Sequence, residues 1–303
     1  MEESAEDSEV FGTIKEIVFD EMSHLGLACN MLTTIGGTPR LADADVVPKY
    51  PGPLPGGVRP GLTVSLGGLS TQTVDMYSEI EKPEDPVVES ETAGVSIGAF
   101  YSAVLEAFRN NQNLIAGTRQ VTRLMAADHG MGNDVVALNS FADVEQAITI
   151  IKEQGEGTAA SPDNPFPGQP GEMAHYYSFR EIFHGHKLVV LPGDPPRFDF
   201  VGAEIPMPPV LRMATVPKGG WDNGPSPVDA STRQLLDTFN RRYSLMLCDL
   251  QSAWMTGTTQ PLGQAVGQMV QLKALARQLM HVPLPGGSGK TYGPEFRYVE
   301  ENP

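Results

Sequence analysis

The chain has 303 residues, of which 40% are hydrophobic and 19% charged, so it has enough apolar material for a sizeable core. It has no run of 18 or more uncharged apolar residues, which argues against a membrane-spanning helix. Its 37 acidic and 21 basic side chains give a net charge of −16, which repels nucleic-acid backbones and anionic lipid surfaces. We therefore expect neither nucleic acid nor a membrane as a partner.

Two further features bear on the cellular location. The chain has only two cysteines, too few for a disulfide framework. Its first residues lack the basic and apolar segments of a secretion signal. We therefore expect a cytoplasmic protein.

The spacing of apolar residues predicts a mainly α-helical fold with long Pro/Gly-rich loops and a few short β-strands. A hairpin or two edge strands are expected around 187–191 and from Arg197 onward, where Pro195-Pro196 interrupts the pattern. We treat residues 1–303 as one domain. The helices are predicted, in chain order, over 8–33, 70–80, 96–110, 112–126, 141–154, 169–184, 231–256 and 261–281.

Two Glu-x-x-His motifs carry the chemistry. Glu21 and His24 lie in the first predicted helix, and Glu172 and His175 lie in the sixth. In a helix, residues at i and i+3 point in similar directions, so a carboxylate oxygen and an imidazole nitrogen can reach the same metal ion. A third pair, Glu181 and His184, is predicted to lie on a solvated face.

Both motifs are predicted to lie on the apolar face of their helix. At about 100° per residue, Ile14, Leu25 and Ala28 fall within about 40° of Glu21. Phe179 and Phe183 fall equally close to Glu172. The two helices therefore share one layout, with Glu and His presented to the interior.

A buried carboxylate costs several kcal/mol unless it is compensated by partners. Two separate Glu/His pairs, each hydrogen bonded to its neighbours, would satisfy this need and remain the simpler alternative. The repetition of the motif favours a shared metal site instead. Carboxylate and imidazole ligands suit iron, and manganese is also possible.

Two Glu-x-x-His helices together with one Glu from each of two other helices form the di-iron site of ferritin-like bundles. Glu156 is the candidate for one single Glu, although it and its neighbour Glu153 lie off the apolar stripe of a regular helix. The other single Glu is expected from a helix before Glu21. That helix is either missing here or supplied elsewhere, by a partner chain or by the C-terminal helices.

The sequence resembles the ferritin-like domain of the iminophenylpyruvate dimer synthase family, which is known from the violacein and rebeccamycin pathways. The matching segments extend over nearly the whole chain. They are 20–25, 35–41, Tyr50-Pro51, Leu54-Pro55, 96–101, 154–157, 175–182, 283–285 and Gly293-Pro294.

The resemblance implies oxidative chemistry on a small organic molecule, such as an imine or another compound derived from an amino acid. The first hypothesis is therefore a non-haem di-iron oxidoreductase that binds metal through Glu21, His24, Glu156, Glu172 and His175. The alternative is a non-catalytic binding or structural protein whose site is degenerate or holds one metal ion. A homo-oligomer, or a partner chain that completes the bundle, is possible in either case.

Overall fold

The computed structural model of the protein describes residues 7–84, 86, 96–158, 161–167, 171–193 and 197–300. Within these ranges the chain is mainly α-helical, as predicted. Two short strands, β1 (Val189–Leu191) and β2 (Arg197–Asp199), pair antiparallel with Val190 opposite Phe198. The helices are α1 (Glu9–Thr34), α2 (Thr71–Glu81), α3 (Ile97–Asn110), α4 (Met125–His129), α5 (Phe141–Glu156), α6 (His175–His184), α7 (Ala230–Thr256) and α8 (Thr259–Met280).

Helix α1 is the element around which the others are arranged. It contacts α5, α6 and α7, while α2 packs along α6 and α3 packs along α5. Helices α7 and α8 pack chiefly along each other. This arrangement places α1 between the helices of the N-terminal bundle and the C-terminal helix pair.

Two apolar clusters fix α1 at its two ends. Val10 and Ile17 pack in one cluster with residues of α2 and α6, including Val74. Leu27 and Met31 pack in a second cluster with residues of α3 and α5. The turn that carries Glu21 and His24 therefore lies between two apolar cores.

A third apolar cluster belongs mainly to the C-terminal half of the chain and includes Trp221, Phe239 and Trp254. Asn30 of α1 joins this cluster to the bundle. Its fully buried side-chain oxygen accepts hydrogen bonds from Trp254 Nε1 at 2.8 Å and from the Val121 amide at 3.0 Å. One side chain thereby connects α1, α7 and the loop before α4.

The structure corrects two of the predicted helices. Segment 112–126 is mostly irregular, because Arg123 pairs with Val135 in an isolated bridge and only the turn Gln112–Leu114 and the start of α4 are helical. The helix predicted over 169–184 begins only at His175. Positions 169 and 170 lie outside the described residues.

Within the described ranges, no helix combines the length and the apolar character needed to cross a membrane.

Candidate metal centre

Three helix ends meet the middle of α1. Glu81 is the last residue of α2, Glu156 is the last residue of α5, and His175 is the first residue of α6. Because the carboxyl end of a helix carries a partial negative charge, the two ends that bring carboxylates also attract cations. The amino end of α6 acts in the opposite sense and favours a neutral imidazole at His175.

Glu21 and the two histidines form the core of the centre. Glu21 Oε1 lies 3.1 Å from His24 Nδ1 and 3.1 Å from His175 Nδ1. The two imidazole rings have centroids 5.6 Å apart. A single carboxylate oxygen is thus shared between two imidazole nitrogens from different helices.

Glu81 completes a group of three potential ligands. Its Oε2 lies 4.0 Å from His175 Nδ1. One ligand atom each from Glu21, Glu81 and His175 lies within 4.8 Å of the other two. Within the described residues, no other set of three or more His, Cys, Asp or Glu side chains meets that criterion.

The outer nitrogens of both histidines are held by acceptors. His24 Nε2 lies 2.9 Å from Gln154 Oε1, and His175 Nε2 lies 3.3 Å from Asp20 Oδ2. Gln154 Nε2 donates to the Phe166 carbonyl, which leaves the Gln154 oxygen facing His24. Both Nε2 atoms therefore carry the proton, and both Nδ1 atoms face Glu21.

This arrangement fits a metal ion. A neutral imidazole whose Nε2–H is donated has a lone pair on Nδ1, and that lone pair and a carboxylate oxygen repel each other unless a cation lies between them. His175 Nδ1 is buried and makes no hydrogen bond of acceptable angle, although Glu21 Oε1 is 3.1 Å away. Metal-binding histidines commonly donate their other N–H to a carboxylate or carbonyl oxygen, as both histidines do here.

In the absence of metal, protons provide the positive charge. Burial opposes the charged form of His175, but its contacts with Asp20 and Glu21 outweigh burial and raise its pKa to about 10. The pKa of Glu21 is lowered, since the nearby charges of His24 and His175 outweigh the effect of burial. Burial and the Glu21 charge raise the pKa of Glu81 to about 7.

The centre borders unfilled space on the Glu21 side. His24, His175 and Asp20 are buried, whereas 48% of the Glu21 side chain is exposed. The shared carboxylate therefore has space beside it, while the two imidazoles are enclosed by protein.

The structure brings three of the five predicted ligands together. Glu21 and His24 lie on one face of α1 as predicted, and His175 meets them from α6.

Glu172 lies differently from the prediction, because its segment is not helical. Asp163 and Met173 form an isolated antiparallel bridge, and the Asn164 amide donates to the Glu172 carbonyl. The i, i+3 argument therefore does not apply to this motif. The half-buried Glu172 side chain lies 3.4 Å from Asn164 Nδ2, and its charge helps to raise the pKa of Glu16. Its place in the ligand set stays a prediction.

Glu156 is the last residue of α5 and lies close to the centre. Its carboxylate is hydrogen bonded to the start of α3. Its Oε1 accepts a hydrogen bond from the Gly98 amide at 2.7 Å, in the first turn of α3. Its charge contributes to the raised pKa of Glu81, so the two carboxylates are neighbours. Ligation by Glu156 also stays a prediction.

Sequence reasoning missed Glu81, Asp20 and Gln154. Glu81 follows the fully buried Val74 and Ser78 at seven and three residues, so it lies on their face of α2. The prediction ended that helix one residue too early. Glu81 supplies a single acidic residue of the kind that was expected from a helix before Glu21.

Gln154 could have been found in the same way, because it continues the buried face of α5 that includes Val144, Ile148 and Ile151. Asp20 offers a weaker signal, since only its position beside Glu21 distinguishes it.

The third Glu-x-x-His pair is not on a solvated face. Glu181 is only 3% exposed and accepts hydrogen bonds from Lys187 Nζ at 2.8 Å and from the Leu188 amide at 2.9 Å. His184 stacks on Phe200 with ring centroids 4.3 Å apart. This pair anchors the segment before β1.

Comparisons with known proteins agree with this fold. A family model described as ferritin-like matches residues 3–184, about three fifths of the chain, which includes every side chain of the centre. A solved structure of a ferritin-like protein from Caulobacter vibrioides aligns with a TM-score of 0.56 at 17% identity, over 89% of this chain and 85% of that one. At this identity the likeness concerns the fold. No curated protein matches the chain.

Proposed function

Because the chain belongs to the ferritin-like family, we propose that it is a non-haem di-iron oxidoreductase that acts on a small organic substrate. The ferritin-like helical bundle predicted from the sequence is confirmed. One observation carries the proposal: two buried imidazoles turn Nδ1 toward the same carboxylate oxygen while their Nε2 atoms are held by Asp20 and Gln154.

Glu21, His24, Glu81 and His175 are the proposed ligands of this centre. Glu156 and Glu172 are further candidates from the predicted set. Iron held by these residues would supply one-electron redox chemistry toward dioxygen, and manganese is the second choice for the same donors.

The surrounding side chains have separate tasks in this proposal. Asp20 and Gln154 fix the tautomer and orientation of the histidines. The apolar clusters on both sides of the α1 turn exclude water from the imidazoles. The exposed side of Glu21 is where a substrate would approach.

The similarity to iminophenylpyruvate dimer synthases suggests the substrate class. It favours an imine or another small compound derived from an amino acid. This step rests on the sequence segments that resemble that family.

A second candidate function follows from the hydrogen bond that the Glu156 carboxylate already accepts. Its carboxylate already accepts from the Gly98 amide, and Glu172 lies in a segment paired with residues 163–164. If these two carboxylates do not bind metal, fewer ligands remain. The centre would then hold one metal ion, and the chain would be a non-catalytic binding protein.

Metal analysis of the purified protein tests the proposal and separates the two candidates. We expect about two iron ions per chain after expression with added iron. About one ion would favour the single-metal alternative. Less than half an equivalent of any transition metal would contradict both.

The substitution Glu21→Ala tests the ligand set. We expect it to remove most of the bound iron and leave the helical circular dichroism spectrum unchanged, because about half of this side chain is exposed. Glu106→Ala, which changes an exposed carboxylate on α3, is the matched control and should keep full iron content. Unchanged iron in the Glu21 variant would show that the site is elsewhere.

A further inference from the structure

A cavity of about 430 Å³ lies where the C-terminal segment passes between two loops. Its lining comes from the segments 44–51, 216–220 and 295–298. None of the lining residues is a proposed metal ligand, and none belongs to a helix. Pockets for small ligands usually measure about 300–1,000 Å³. The cavity is therefore large enough to enclose a small organic molecule at a site apart from the candidate metal centre.

Aromatic side chains form part of the walls, and their contacts hold them in place. Phe296 packs edge-on against Phe239, with ring centroids 4.9 Å apart. The Tyr298 hydroxyl donates to the Ala42 carbonyl at 3.1 Å. Tyr50 adds a third ring to the lining, and burial raises the pKa of its hydroxyl. The walls thus offer flat, neutral surfaces against which a planar ring can pack.

The cavity is rich in positive charge although the chain is acidic. The chain has 21 basic residues among 303, or about one in 14. Lys49, Lys218 and Arg297 are three of the fourteen residues that line the cavity. This concentration of cations runs against the net charge of −16.

The carboxylate of Glu295, the acidic side chain in the described lining, is already satisfied. One of its oxygens accepts from the Trp221 amide at 2.6 Å, and the other accepts from Asn240 Nδ2 at 2.8 Å. Arg297 Nε lies 3.6 Å from the same carboxylate. Arg297 therefore balances the charge of Glu295, and the two lysines are left in excess.

The charge of these two lysines is not compensated nearby. Neither Lys49 nor Lys218 forms an ion pair in the part of the chain that the structure describes. Of the two carboxylates whose charge acts on the Tyr298 wall, Asp43 is paired with Arg40, and neither it nor Glu300 lines the cavity. An anion is therefore attracted to the lysine side of the cavity.

We propose that this cavity binds a small organic anion with an aromatic ring system. The ring packs against the Tyr50, Phe296 and Tyr298 walls, and its carboxylate or sulfonate group faces Lys49 and Lys218. This site is additional to the candidate metal centre and needs no metal.

A second large cavity is less suited to such a ligand. It measures about 670 Å³ and is lined by parts of the segments 62–79 and 210–215 together with Lys290. It has no aromatic side chain, and its two cations are matched by the carboxylates of Asp75 and Glu79. Both the planar walls and the excess positive charge are absent from this lining.

Isothermal titration calorimetry of the full chain with 2-naphthalenesulfonate tests the proposal. For a ligand of this size in a well-formed pocket, we expect one site per chain with a Kd of about 1 mM or lower. Methanesulfonate, which has the same anionic group and no ring, should bind at least tenfold more weakly. Equal affinity for the two probes would show a simple anion patch and overturn the proposal, as would a wild type that binds neither.

Charge substitutions locate the site. The double variant Lys49→Gln/Lys218→Gln should bind 2-naphthalenesulfonate about tenfold more weakly at low salt, and the loss should shrink as salt is added. Both lysines are exposed, so the fold should be unaffected. Lys15→Gln/Lys273→Gln is the matched control, because it removes the same charge from exposed helix positions outside the lining. Unchanged affinity in the first variant, or an equal loss in the control, would overturn the assignment.

Glu21→Ala separates this site from the candidate metal centre. The variant should bind 2-naphthalenesulfonate as the wild type does, whether or not the centre binds iron. Loss of the probe in this variant would place it at the centre and contradict a separate site.

Discussion

At the scale of single residues, the chemistry of the centre depends on where the imidazole protons are. His24 and His175 each have one nitrogen committed to an acceptor and one directed at Glu21. Without Asp20 or Gln154, either ring could exchange its tautomer and turn an N–H toward the centre. For metal binding, the hydrogen-bond acceptors at Nε2 are therefore as important as the Nδ1 atoms that face Glu21.

Asp20→Ala tests this dependence on the outer acceptor of His175. Loss of the acceptor should weaken metal binding about 10- to 100-fold, as is usual for partners of metal-binding histidines. Asp20→Asn keeps an oxygen opposite Nε2 and should retain part of the affinity. Titration with Mn²⁺ measures both variants. Equal affinity in wild type and Asp20→Ala would mean that His175 needs no partner at Nε2.

The pH dependence of metal affinity provides a second test at this scale. In the metal-free protein, the pKa of His175 is raised to about 10 and that of Glu81 to about 7. These two groups must lose a proton before they bind metal, and so must His24, whose pKa is raised because its contact with Glu21 outweighs burial. Affinity should therefore rise with pH. The rise should be steeper below pH 7, where Glu81 also releases a proton, than above it.

Glu81→Gln is the control for that profile. It removes the titrating carboxyl, so the part of the steeper slope below pH 7 that is due to Glu81 should disappear, while the rise due to the two histidines remains. Mn²⁺ affinities measured between pH 6 and 8 give the comparison. A wild-type profile without a change of slope would argue against ligation by Glu81.

At the scale of elements, the sequence predicted the long helices well and the ends of helices poorly. The spacing of apolar residues identified α1, α3, α5, α7 and α8, because each has several turns of regular pattern. It failed at residues 171–174, where the backbone pairs with 162–164 rather than with the following turn. Glu81 was overlooked for a related reason, since it is the terminal residue of its helix.

The centre could therefore be predicted only in part. Glu21 and His24 lie in the middle of a long helix, where i, i+3 spacing is reliable. The other proposed ligands, Glu81 and His175, lie at helix ends, whose positions depend on tertiary contacts that periodicity does not contain.

Glu156 has two candidate roles, as a metal ligand and as the acceptor for the Gly98 amide at the start of α3. Substitutions of Glu156 distinguish between them. Glu156→Ala leaves the buried Gly98 amide without its acceptor and should lower the free energy of unfolding by about 1–3 kcal/mol. Glu156→Gln retains an acceptor oxygen and should be close to wild type in stability. Urea denaturation of the metal-free protein measures this difference.

Metal binding by the same two variants gives the second comparison. If Glu156 is a ligand, both should bind iron more weakly. If it serves only the start of α3, Glu156→Gln should bind iron as wild type does.

At the scale of the whole molecule, the question is whether the bundle that holds the candidate centre and the C-terminal helices unfold together. The ferritin-like match ends at residue 184, whereas the third apolar cluster is built mainly from residues after 213. Cys29 of α1 belongs to that cluster, and Asn30 links α1 to Trp254. The shared helix should make the chain unfold as one cooperative unit, consistent with the single domain expected from the sequence.

Tryptophan fluorescence tests this coupling, because both tryptophans of the chain, Trp221 and Trp254, lie outside the bundle that holds the candidate centre. A ligand that binds only the folded state stabilises the whole cooperative unit, by about 2.7 kcal/mol at a free concentration of 100 times its Kd. Mn²⁺ should therefore raise the melting temperature reported by fluorescence as much as that reported by circular dichroism. A fluorescence transition that does not respond to Mn²⁺ would indicate two independent units.

Asn30→Ala should weaken that coupling, since it leaves Trp254 Nε1 and the Val121 amide without their buried acceptor. Lost acceptors of this kind cost about 1–3 kcal/mol each, and the cost falls on the junction rather than on the metal centre. We expect Mn²⁺ to raise the melting temperature less when it is followed by fluorescence, and as much as before when it is followed by circular dichroism. Trp221→Phe is the matched control: it removes a similar buried N–H, which donates to the Gly293 carbonyl within the C-terminal part, and should lower stability without separating the two transitions.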